Sequence, residues 1–488
     1  MARPVKRTKI VATIGPASES EDTLRQLIEA GMDVARLNFS HGSADQARAL
    51  VERIRRVSAE LGVFVGILGD LRGPRIRVGE MNNGSIDLEK GRKIVLTSTP
   101  VVGTPDRIAV SFRALANDVN HGTTVLLDDG NIELQVVDLL PEGEVLCEVQ
   151  RGGQLHSNKG VNLKNRLVSL PSLTTKDYTD LDFAVAEKLD FLALSFVQSA
   201  SDVRFLKQSL AERGANIPVI AKIERQNALE DIENIVRESF GVMVARGDLA
   251  LEMSFEDVPI AQKRIISACR QAGAPVITAT QMLESMTSFH KPTRAEAADV
   301  ANAILDGSDA VMLSGESAVG KFPVEVVRTM ATIAARVERA WLKGEMPGPI
   351  PLSPQPDLDA AVGNAAQMIA HSVSACAIVT ATTSGTTPRR VACHRPPMPI
   401  IALCASETTC RRMSLIWGVT PELIPPITGT GHLVKLSAEA ATRHVAAQPK
   451  DVLTIAAGTP YNVPGRTNLL KVEVISDALK ADSTAPGV

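Results

Sequence analysis

The sequence predicts an α/β protein built around a (β/α)8 (TIM) barrel, and two observations support this fold class. Eight short apolar segments alternate with patterns typical of amphipathic helices. Polar side chains lie at or just beyond the C-terminal ends of these segments, where a barrel carries its active site. Alternation alone would also suit a doubly wound sheet, but chance would not place polar residues at the same end of every segment.

The predicted strands occupy residues 9–14, 34–39, 64–68, 191–195, 219–223, 241–245, 275–278 and 310–313. Helical patterns at 21–30 and 45–61 separate the first three strands, and helix-like stretches separate the later ones. The polar residues that follow the strands are Thr13, Arg36, Asn38, Ser40, Asp70, Ser195, Lys222, Glu224, Asp248, Thr280, Ser314 and Glu316. We expect these side chains to meet on one rim of the barrel.

The most informative stretch is residues 219–252, which is patterned as strand, helix (227–239) and strand. Both strands are apolar on both faces, as parallel strands under helices must be, and their C-terminal ends lie on one edge. Lys222, Glu224 and Asp248 follow those ends and should converge. Two carboxylates about 4 Å apart repel by roughly 1 kcal/mol in water, so the pair needs a cation, and Mg²⁺ typically takes one or two carboxylates. The alternative is a structural ion pair at a strand end.

Bulk properties exclude several classes of protein. The 488 residues suggest about three domains at roughly 150 residues each, and 44% hydrophobic residues allow large cores. The net charge of −3 argues against nucleic acid as the main partner. No apolar run is long enough to cross a membrane, and the N-terminal apolar run is too short for a secretory signal. The six cysteines show no metal-type spacing, so we expect a reducing, cytoplasmic location.

The alternation is interrupted after Asp70. Short β-like runs with turns fill residues 73–168, which predicts a small all-β domain able to close over the catalytic face as a lid. A proline-rich linker at 344–357 ends the barrel, and strands and helices then alternate again. We expect barrel segments at 1–72 and 169–345, the lid at 73–168, and a C-terminal α/β regulatory domain at 346–488.

One loop of the C-terminal domain, TATTSGTTPRR at 380–390, lies between a predicted strand and a predicted helix. Hydroxyls and free amides at a helix N-terminus suit a phosphate. Serine, threonine and glycine are also the residues of ordinary turns and caps. The composition of the loop leaves both interpretations open.

Along essentially its whole length the sequence resembles the pyruvate kinase family. The matching segments include RTKIVATIGPAS, VARLNFSHG, VIAKIE, VMVARGDLALE, PVITATQMLESM, KPTRAEAADVANAILDGSDAVMLSGE and AAGTPYNVPGRTN. ITATQMLESM together with PTRAE is highly specific to that family. The resemblance implies phosphoryl transfer from phosphoenolpyruvate to ADP, giving pyruvate and ATP in the final step of glycolysis, with Mg²⁺ or Mn²⁺ required. It also implies a homotetramer.

The resemblance assigns the catalytic and metal residues. Glu224 and Asp248 would hold the divalent ion, and Lys222 would stabilise the transferring phosphoryl group. Arg36 would grip the phosphate as a planar fork, and Thr280 would help protonate the methylene carbon of enolpyruvate through water. The substrate carboxylate would be held by backbone amides of Ala245, Arg246, Gly247 and Asp248.

The nucleotide contacts implied by the resemblance are Thr13, Pro16, Arg36, Asn38, Ser40 and Arg77. Taken without the resemblance, Thr13, Asn38 and Ser40 could equally satisfy backbone groups of their loops. Relatives often carry basic residues after the fourth strand that approach the ADP phosphates, whereas this chain has Gln198 and Ser199. ADP affinity would then depend more on Arg36 and Arg77.

The chain departs from K⁺-dependent relatives after the third strand. They commonly have Asp-Thr-Lys-Gly-Pro-Glu, where this sequence has Asp70-Leu71-Arg72-Gly73-Pro74-Arg75. The monovalent-cation region would comprise Asn38, Ser40, Asp70, Leu71 and Arg75. We predict that Arg75 supplies the positive charge that K⁺ provides elsewhere, so K⁺ is not required, as in relatives with a basic residue there. The alternative is a solvated charge at the lid hinge.

The C-terminal loop resembles the one that binds a phosphate of fructose 1,6-bisphosphate in regulated members. Its residues are Thr382, Thr383, Ser384, Gly385, Thr386 and Thr387, and the resemblance implies a phosphorylated allosteric effector. Two other functions were weighed: a Mg²⁺-dependent lyase or aldolase, and a catalytically silent phosphometabolite sensor. The first would not need Lys222 beside the metal ligands, and the second predicts a damaged catalytic face.

Overall fold

The computed structural model describes residues 4–40, 42–164, 166, 168–353, 357–463 and 467–476. Residues 354–356 of the predicted linker and 477–488 of the predicted C-terminal domain lie outside that range. Ser20 and Ser43 cap the first two helices by accepting hydrogen bonds from the backbone amides of Thr23 and Gln46. The chain begins with β1 (Lys9–Thr13), α1 (Glu21–Ala30), β2 (Val34–Asn38), α2 (Ala44–Glu60) and β3 (Gly66–Asp70).

An all-β insertion with one short helix follows β3. A six-stranded sheet and a two-stranded sheet form it, and side chains such as Val145, Cys147 and Val149 alternate into a core of its own. Its elements are β4 (Ser85–Leu88), β5 (Lys93–Thr97), β6 (Arg107–Ala109), α3 (Leu115–Asp118), β7 (Thr124–Leu127), β8 (Ile132–Leu140), β9 (Glu144–Arg151), β10 (Gly153–His156) and β11 (Val161–Leu163). The sheet orders are β11-β7-β8-β9-β5-β6 and β10-β4.

The chain then completes the barrel. The elements are α4 (Thr175–Ala186), β12 (Phe191–Leu194), α5 (Ala200–Glu212), β13 (Val219–Ile223), α6 (Ile232–Glu238), β14 (Gly241–Ala245), α7 (Arg246–Glu252), α8 (Val258–Ala272), β15 (Val276–Ala279), α9 (Arg294–Asp306), β16 (Ala310–Leu313), α10 (Gly315–Ala318) and α11 (Pro323–Leu342). Eight parallel strands close in the order β1-β16-β15-β14-β13-β12-β3-β2, which confirms the predicted barrel.

The helix predicted at 227–239 is divided in the structure. A 3₁₀ turn at Gln226–Leu229 precedes α6, and Asp231 lies at the break. The Asp231 carboxylate accepts hydrogen bonds from the Ala200 amide and the Asn234 side chain. Short polar side chains that bond to backbone groups in this way compete with helix continuation.

The interior of the barrel is a packed core. Val11, Leu68, Ile220 and Ile277 of the strands belong to one buried cluster, and Leu415 of the C-terminal domain joins it. Other contacts of that domain also reach the beginnings of the strands: Gly66 N donates to Ser414 Oγ at 3.1 Å. The N-terminal end of the barrel is therefore covered, and the C-terminal rim remains open.

A second α/β unit follows the linker. Its elements are α12 (Leu358–Ser372), β17 (Ala377–Thr382), α13 (Thr386–Ala392), β18 (Ile400–Cys404), α14 (Glu407–Met413), β19 (Val419–Leu423), α15 (Thr430–Val445), β20 (Val452–Ala457) and β21 (Leu469–Val474). The sheet order is β19-β18-β17-β20-β21, with only β20 and β21 antiparallel among these pairs. Two elements were not predicted from the sequence: β19, an edge strand containing Pro421, and α15, whose buried face is rich in alanine.

Buried ion pairs attach the C-terminal domain to the barrel. Arg395 lies 3.0 Å from Asp309, at 2% and 6% side-chain exposure, and its guanidinium also stacks on Trp417. Arg411 Nε lies 2.9 Å from the fully buried Asp190. Neither aspartate lies at the catalytic rim, so both have structural roles. Among the described residues, no helix is long and apolar enough to span a bilayer.

Candidate active site

The ends of β13 and β14 bring Lys222 and Glu224 together, with Asp248 beside them, as predicted. Lys222 Nζ lies 2.9 Å from Glu224 Oε1 and 3.3 Å from Asp70 Oδ1, and it donates a hydrogen bond to Ser195 Oγ at 2.6 Å. Burial opposes the charge of Lys222, but the Asp70 and Glu224 carboxylates outweigh it and raise the pKa of Lys222. The amine is therefore protonated at neutral pH.

The two carboxylates of the predicted metal pair face one cleft. Glu224 is 2% exposed, and its Oε2 accepts a hydrogen bond from Phe196 N at 2.6 Å. Burial raises the pKa of Glu224, the neighbouring charge of Asp248 raises it further, and Lys222 opposes the rise. A buried carboxylate beside a second, partly exposed one that disfavours its charge is the electrostatic condition of a cation site.

Arg36 is anchored between β1 and β3. Its Nε and Nη2 lie 2.7 and 2.6 Å from Asp70 Oδ2, and its Nη1 donates to Thr13 Oγ1 at 2.9 Å. Thr13 in turn donates to the Leu313 carbonyl. Burial opposes the charge of Asp70, but Lys222 and Arg36 outweigh it and lower the pKa of Asp70. The Thr13 hydroxyl thus orients Arg36, while its predicted contact with nucleotide stays a prediction.

Three arginines that follow β3, namely Arg72, Arg75 and Arg77, extend this cation-lined region. Arg75 Nη2 lies 3.1 Å from Asp129 Oδ1 and 3.7 Å from Asp248 Oδ1. Arg77 donates to the Asn158 carbonyl at 2.7 Å, and burial together with Arg72 and Arg75 lowers the pKa of Arg77. These side chains also line adjoining cavities of about 500 and 840 Å³. Anionic groups with several charges would be attracted to such a groove.

The central cleft has a volume of about 170 Å³. It combines five basic side chains with three carboxylates, so its net charge is positive when all of them are ionised. Its lining residues are Arg36, Asn38, Ser40, Asp70, Leu71, Arg72, Arg75, Arg77, Ser195, Phe196, Lys222, Glu224 and Asp248. Residues from the barrel and from the insertion therefore share one cavity.

Thr280 lies at the next part of the rim, next to the N-terminus of α7. Its Oγ1 accepts a hydrogen bond from Gly247 N at 2.9 Å and donates to the Ala279 carbonyl at 2.6 Å. Thr280 has φ +69°, a region that a threonine adopts only under tertiary constraint. The Arg246 side chain supplies that constraint by donating to the Ala279 and Thr280 carbonyls and pairing with Asp299 at 2.7 Å.

The remaining predicted residues have simple positions. Asn38 Oδ1 accepts a hydrogen bond from Ser40 N at 3.1 Å, which is the loop contact that had been left open as an alternative. Pro16 is exposed beyond β1. Leu71 has a buried side chain, and its carbonyl accepts a hydrogen bond from Ser195 Oγ at 2.8 Å. Gln198 exchanges hydrogen bonds with the backbone of Val168, where the insertion returns to the barrel.

Ser195 was predicted to lie on the rim without a specific role, and Arg72 was not singled out from the sequence. Ser195 links the Lys222 amine to the Leu71 carbonyl and so fixes the position of the amine. Its position after β12 was the available signal, since every rim residue follows a strand. Arg72 occurs within the altered motif after Asp70, and only the fold of the insertion shows that it lines the cleft.

The C-terminal loop borders a small separate pocket. Thr382 Oγ1 accepts a hydrogen bond from Gly385 N at 2.8 Å, and the Ser384 and Thr386 hydroxyls lie 3.1 Å apart. Gly385 has φ +87°, and a Cβ there would lie 2.3 Å from Met413 Cε, so a side chain at this position would be strained and Met413 would have to move. Thr383, Thr387 and the neighbouring residues enclose about 40 Å³.

Comparisons with known proteins identify the family. The family model for the barrel domain of pyruvate kinase matches residues 5–327, and the model for its alpha/beta domain matches residues 360–473. The chain belongs to the pyruvate kinase family. It is 45% identical over 476 residues to a pyruvate kinase of Geobacillus stearothermophilus, covering 97% of this chain and 81% of that protein. A pyruvate kinase of Sporosarcina psychrophila is 45% identical over 477 residues with the same coverage.

A solved structure agrees with this family and fold. The crystal structure of a pyruvate kinase from Cryptosporidium parvum superposes with a TM-score of 0.88 at 36% sequence identity, covering 96% of each chain. The family assignment makes this protein a phosphotransferase. The sequence resemblance, the predicted barrel and the C-terminal α/β domain are thereby confirmed.

Proposed function

We propose that this pyruvate kinase family member transfers the phosphoryl group of phosphoenolpyruvate to ADP, giving pyruvate and ATP. The observation that carries the proposal is the convergence of Lys222, Glu224 and Asp248 at one cleft that Arg36 also lines. A protonated amine beside a carboxylate pair suits a reaction in which negative charge moves between oxygens. A lyase or aldolase would not need that amine, and a silent sensor would not keep the set intact.

The donor set fits a hard divalent ion, Mg²⁺ or Mn²⁺, held by Glu224 and Asp248. Among the described residues there is no group of three or more His, Cys, Asp or Glu side chains that could hold a metal, so this pair would leave positions for substrate oxygens and water. When bound, the ion would neutralise charge on the phosphate and the enolate. Burial and the charge of Asp248 raise the pKa of Glu224 despite Lys222, and a bound cation would offset both effects.

The side chains would divide the remaining work. Lys222 would stay charged and lie against the transferring phosphoryl group, and Arg36 would bind it with the N–H groups not used by Asp70 and Thr13. Thr280 would pass a proton, through water, to the methylene carbon. The hydrogen bond from Gly247 N to the Thr280 hydroxyl would break, and Gly247 N would donate to the substrate carboxylate instead.

The nucleotide would bind where the barrel meets the insertion. Arg77 and Arg72 would contact the ADP phosphates, a role supported by the cavity that they share with Asn38 and Ser40. Gln198 is engaged with Val168 and so is poorly placed to replace the basic residues of relatives. We propose domain boundaries at 72/73, 168/169 and 345/346, with the insertion closing as a lid over this groove.

We propose that K⁺ is not required, because Arg75 carries the charge that K⁺ supplies in relatives. The guanidinium lies 3.7 Å from Asp248 and lines the cleft with Asn38, Ser40 and Asp70. Activity in buffer whose only monovalent cation is tetramethylammonium tests this. Loss of nearly all activity without K⁺ would rule the proposal out.

We also propose regulation by a phosphorylated metabolite at residues 382–387. The hydroxyl-rich pocket around Ser384 supports it, and an acidic side chain there should repel phosphate. Thermal shift with fructose 1,6-bisphosphate and other sugar phosphates, compared between wild type and Ser384→Glu, tests the site. Stabilisation that survives in Ser384→Glu, or none at all in wild type, would contradict it.

A cytoplasmic homotetramer is the proposed form of the enzyme. Phe255, Ile260, Phe289 and Val319 of the barrel domain are 64–82% exposed, which supports burial against other copies. All six cysteines, each within the described residues, are free thiols, which suits a reducing compartment. Light scattering coupled to size-exclusion chromatography would show a single monomer-sized species if the assembly is wrong.

A coupled assay of ATP formation tests the reaction itself. Lys222→Met should abolish turnover, since methionine has similar length and no charge, whereas Lys207→Met on the exposed side of α5 should leave it unchanged. Circular dichroism verifies that both variants fold. Wild-type protein that forms no ATP from phosphoenolpyruvate and ADP, or a fully active Lys222→Met, would overturn the proposal.

A further inference from the structure

A cavity of about 710 Å³ lies between the barrel and the C-terminal domain. Most of its lining residues belong to the barrel, and none of them belongs to the loop at 382–387. We call it the interdomain cavity. Helices α6, α8 and α13 line it, and its walls include the apolar side chains of Val236, Ala268 and Ala274. Its charged lining residues are Glu233, Arg237, Arg264, Asp357, Arg389 and Arg390. Four cations against two carboxylates give it a positive charge.

Arg389 is held in this cavity by a backbone carbonyl and an aromatic ring. Its Nη1 donates to the Phe240 carbonyl at 3.2 Å, and its guanidinium lies 4.7 Å from the centre of the Phe240 ring. Its Nε is buried and has no hydrogen-bond partner among the described residues, where no carboxylate pairs with it either. Burial and the charge of Arg390 lower the pKa of Arg389 to about 10. A desolvated charge without a counter-ion is unfavourable, so a site of this kind favours an anion.

The other three arginines surround the same space from both domains. Arg390 reaches the barrel, where it donates to the Ala272 carbonyl at 2.7 Å, and it pairs with Asp357 at 3.0 Å. The Arg390 side chain packs against Gly273, where an added Cβ would lie 3.0 Å from Arg390 Cδ. Arg237 and Arg264 are exposed side chains of α6 and α8. Among the described residues, Arg390 is the one arginine of these four that pairs with a carboxylate, that of Asp357.

We propose that the interdomain cavity binds a small organic phosphate monoester, at a site separate from the loop at 382–387. Guanidinium groups match the oxygens of a phosphate in a planar, bidentate arrangement. The volume falls within the roughly 300–1,000 Å³ typical of small-molecule sites, and the apolar walls suit the organic part of the ligand. Inorganic phosphate alone would leave most of the cavity unfilled and should bind more weakly.

Occupancy should affect catalysis through β14. Phe240, which Arg389 contacts, immediately precedes β14, and Asp248 follows the other end of that strand. A ligand drawn to Arg389 changes the contact between α13 and the start of this strand. We therefore expect the ligand to change the KM for phosphoenolpyruvate. This effect on catalysis rests on the proposed function, whereas the binding itself does not.

Isothermal titration calorimetry on the full chain tests the site directly. The probes are ribose 5-phosphate, uridine 5′-monophosphate and inorganic phosphate, each up to 5 mM. Arg237→Ala/Arg264→Ala removes two exposed cavity cations, and Ser267→Glu places a carboxylate at the cavity wall. Arg328→Ala/Arg336→Ala, exposed on α11, removes the same charge elsewhere. Ser384→Glu blocks the loop at 382–387, so binding there is excluded.

We expect an organic phosphate to bind wild type, Ser384→Glu and the α11 control with similar affinity. Affinity should fall about tenfold or more in Arg237→Ala/Arg264→Ala and in Ser267→Glu, because charge-assisted hydrogen bonds are lost or opposed. Unchanged affinity in both cavity variants would overturn the proposal. Absence of binding to wild type, or binding that disappears only in Ser384→Glu, would overturn it as well.

Discussion

Replacing Arg75 by glutamate should convert this enzyme into one that depends on K⁺. Arg75 Nη2 lies 3.7 Å from Asp248 Oδ1, with side-chain exposures of 33% and 29%. At that distance the attraction is roughly 1 kcal/mol in water and about 4 kcal/mol at the effective dielectric of a protein surface. The substitution removes this attraction and adds repulsion between carboxylates. Without K⁺, kcat/KM should therefore fall by about tenfold to a thousandfold.

The assay couples pyruvate formation to NADH oxidation in tetramethylammonium or potassium chloride at equal ionic strength. Wild type should be active in both salts, and Arg75→Glu should recover most of its activity only with K⁺. Lys90→Glu is the matched control, because Lys90 is an exposed side chain of the insertion that lines neither the central cleft nor the adjoining groove. An Arg75→Glu variant that K⁺ fails to rescue, or one that is fully active without K⁺, would refute the reasoning.

Three further predictions concern stability and regulation. Burial raises the pKa of Glu252 to about 7 against the opposing charge of Arg225, so the ionised form is disfavoured by folding and stability is lost as pH rises from about 4.5 to 7. In urea unfolding, the free energy of unfolding of wild type should fall by on the order of 3 kcal/mol between pH 5 and pH 8 because of Glu252, and Glu252→Gln should remove this fall. A variant that shows the same fall as wild type would contradict this. Arg395→Ala leaves Asp309 buried without its partner, so unfolding should require about 3–5 kcal/mol less, and an unaltered melting temperature would refute it. In Gly385→Ala the alanine is strained by a φ of +87° and by Met413, so calorimetry should show a lower affinity for sugar phosphate than in wild type. An affinity equal to that of wild type would show that the loop tolerates a side chain.

Much of the site was predictable from local pattern. The spacing and content of apolar residues in 219–252 predict that Lys222, Glu224 and Asp248 follow two parallel strands. The C-terminal ends of parallel strands lie on the same edge of the sheet. Their convergence follows from that geometry. The residue changes at Leu71 and Arg75 were also visible in sequence, because they alter a motif at a fixed distance from β3.

Other features depend on which distant side chains pack together. The Thr13 hydroxyl orients Arg36, and Ser195 holds the Lys222 amine, because neighbouring strands bring them within hydrogen-bond distance. The insertion folds so that Arg72 joins the cleft. No periodicity encodes these pairings, since each partner satisfies its own local pattern whether or not the other is near.

The sequence by itself determined the alternation of strands and helices in the barrel, the rim on which the chemistry lies and the chemical types available there. Tertiary structure alone decided that Arg75 approaches Asp248 and that Arg389 of the C-terminal domain reaches Phe240 of the barrel with no carboxylate paired to it among the described residues. The physical reason is range. Secondary structure and amphipathicity arise from neighbouring residues, whereas the distance between two charges depends on how separately folded elements pack, and electrostatic energy varies steeply with that distance and with burial.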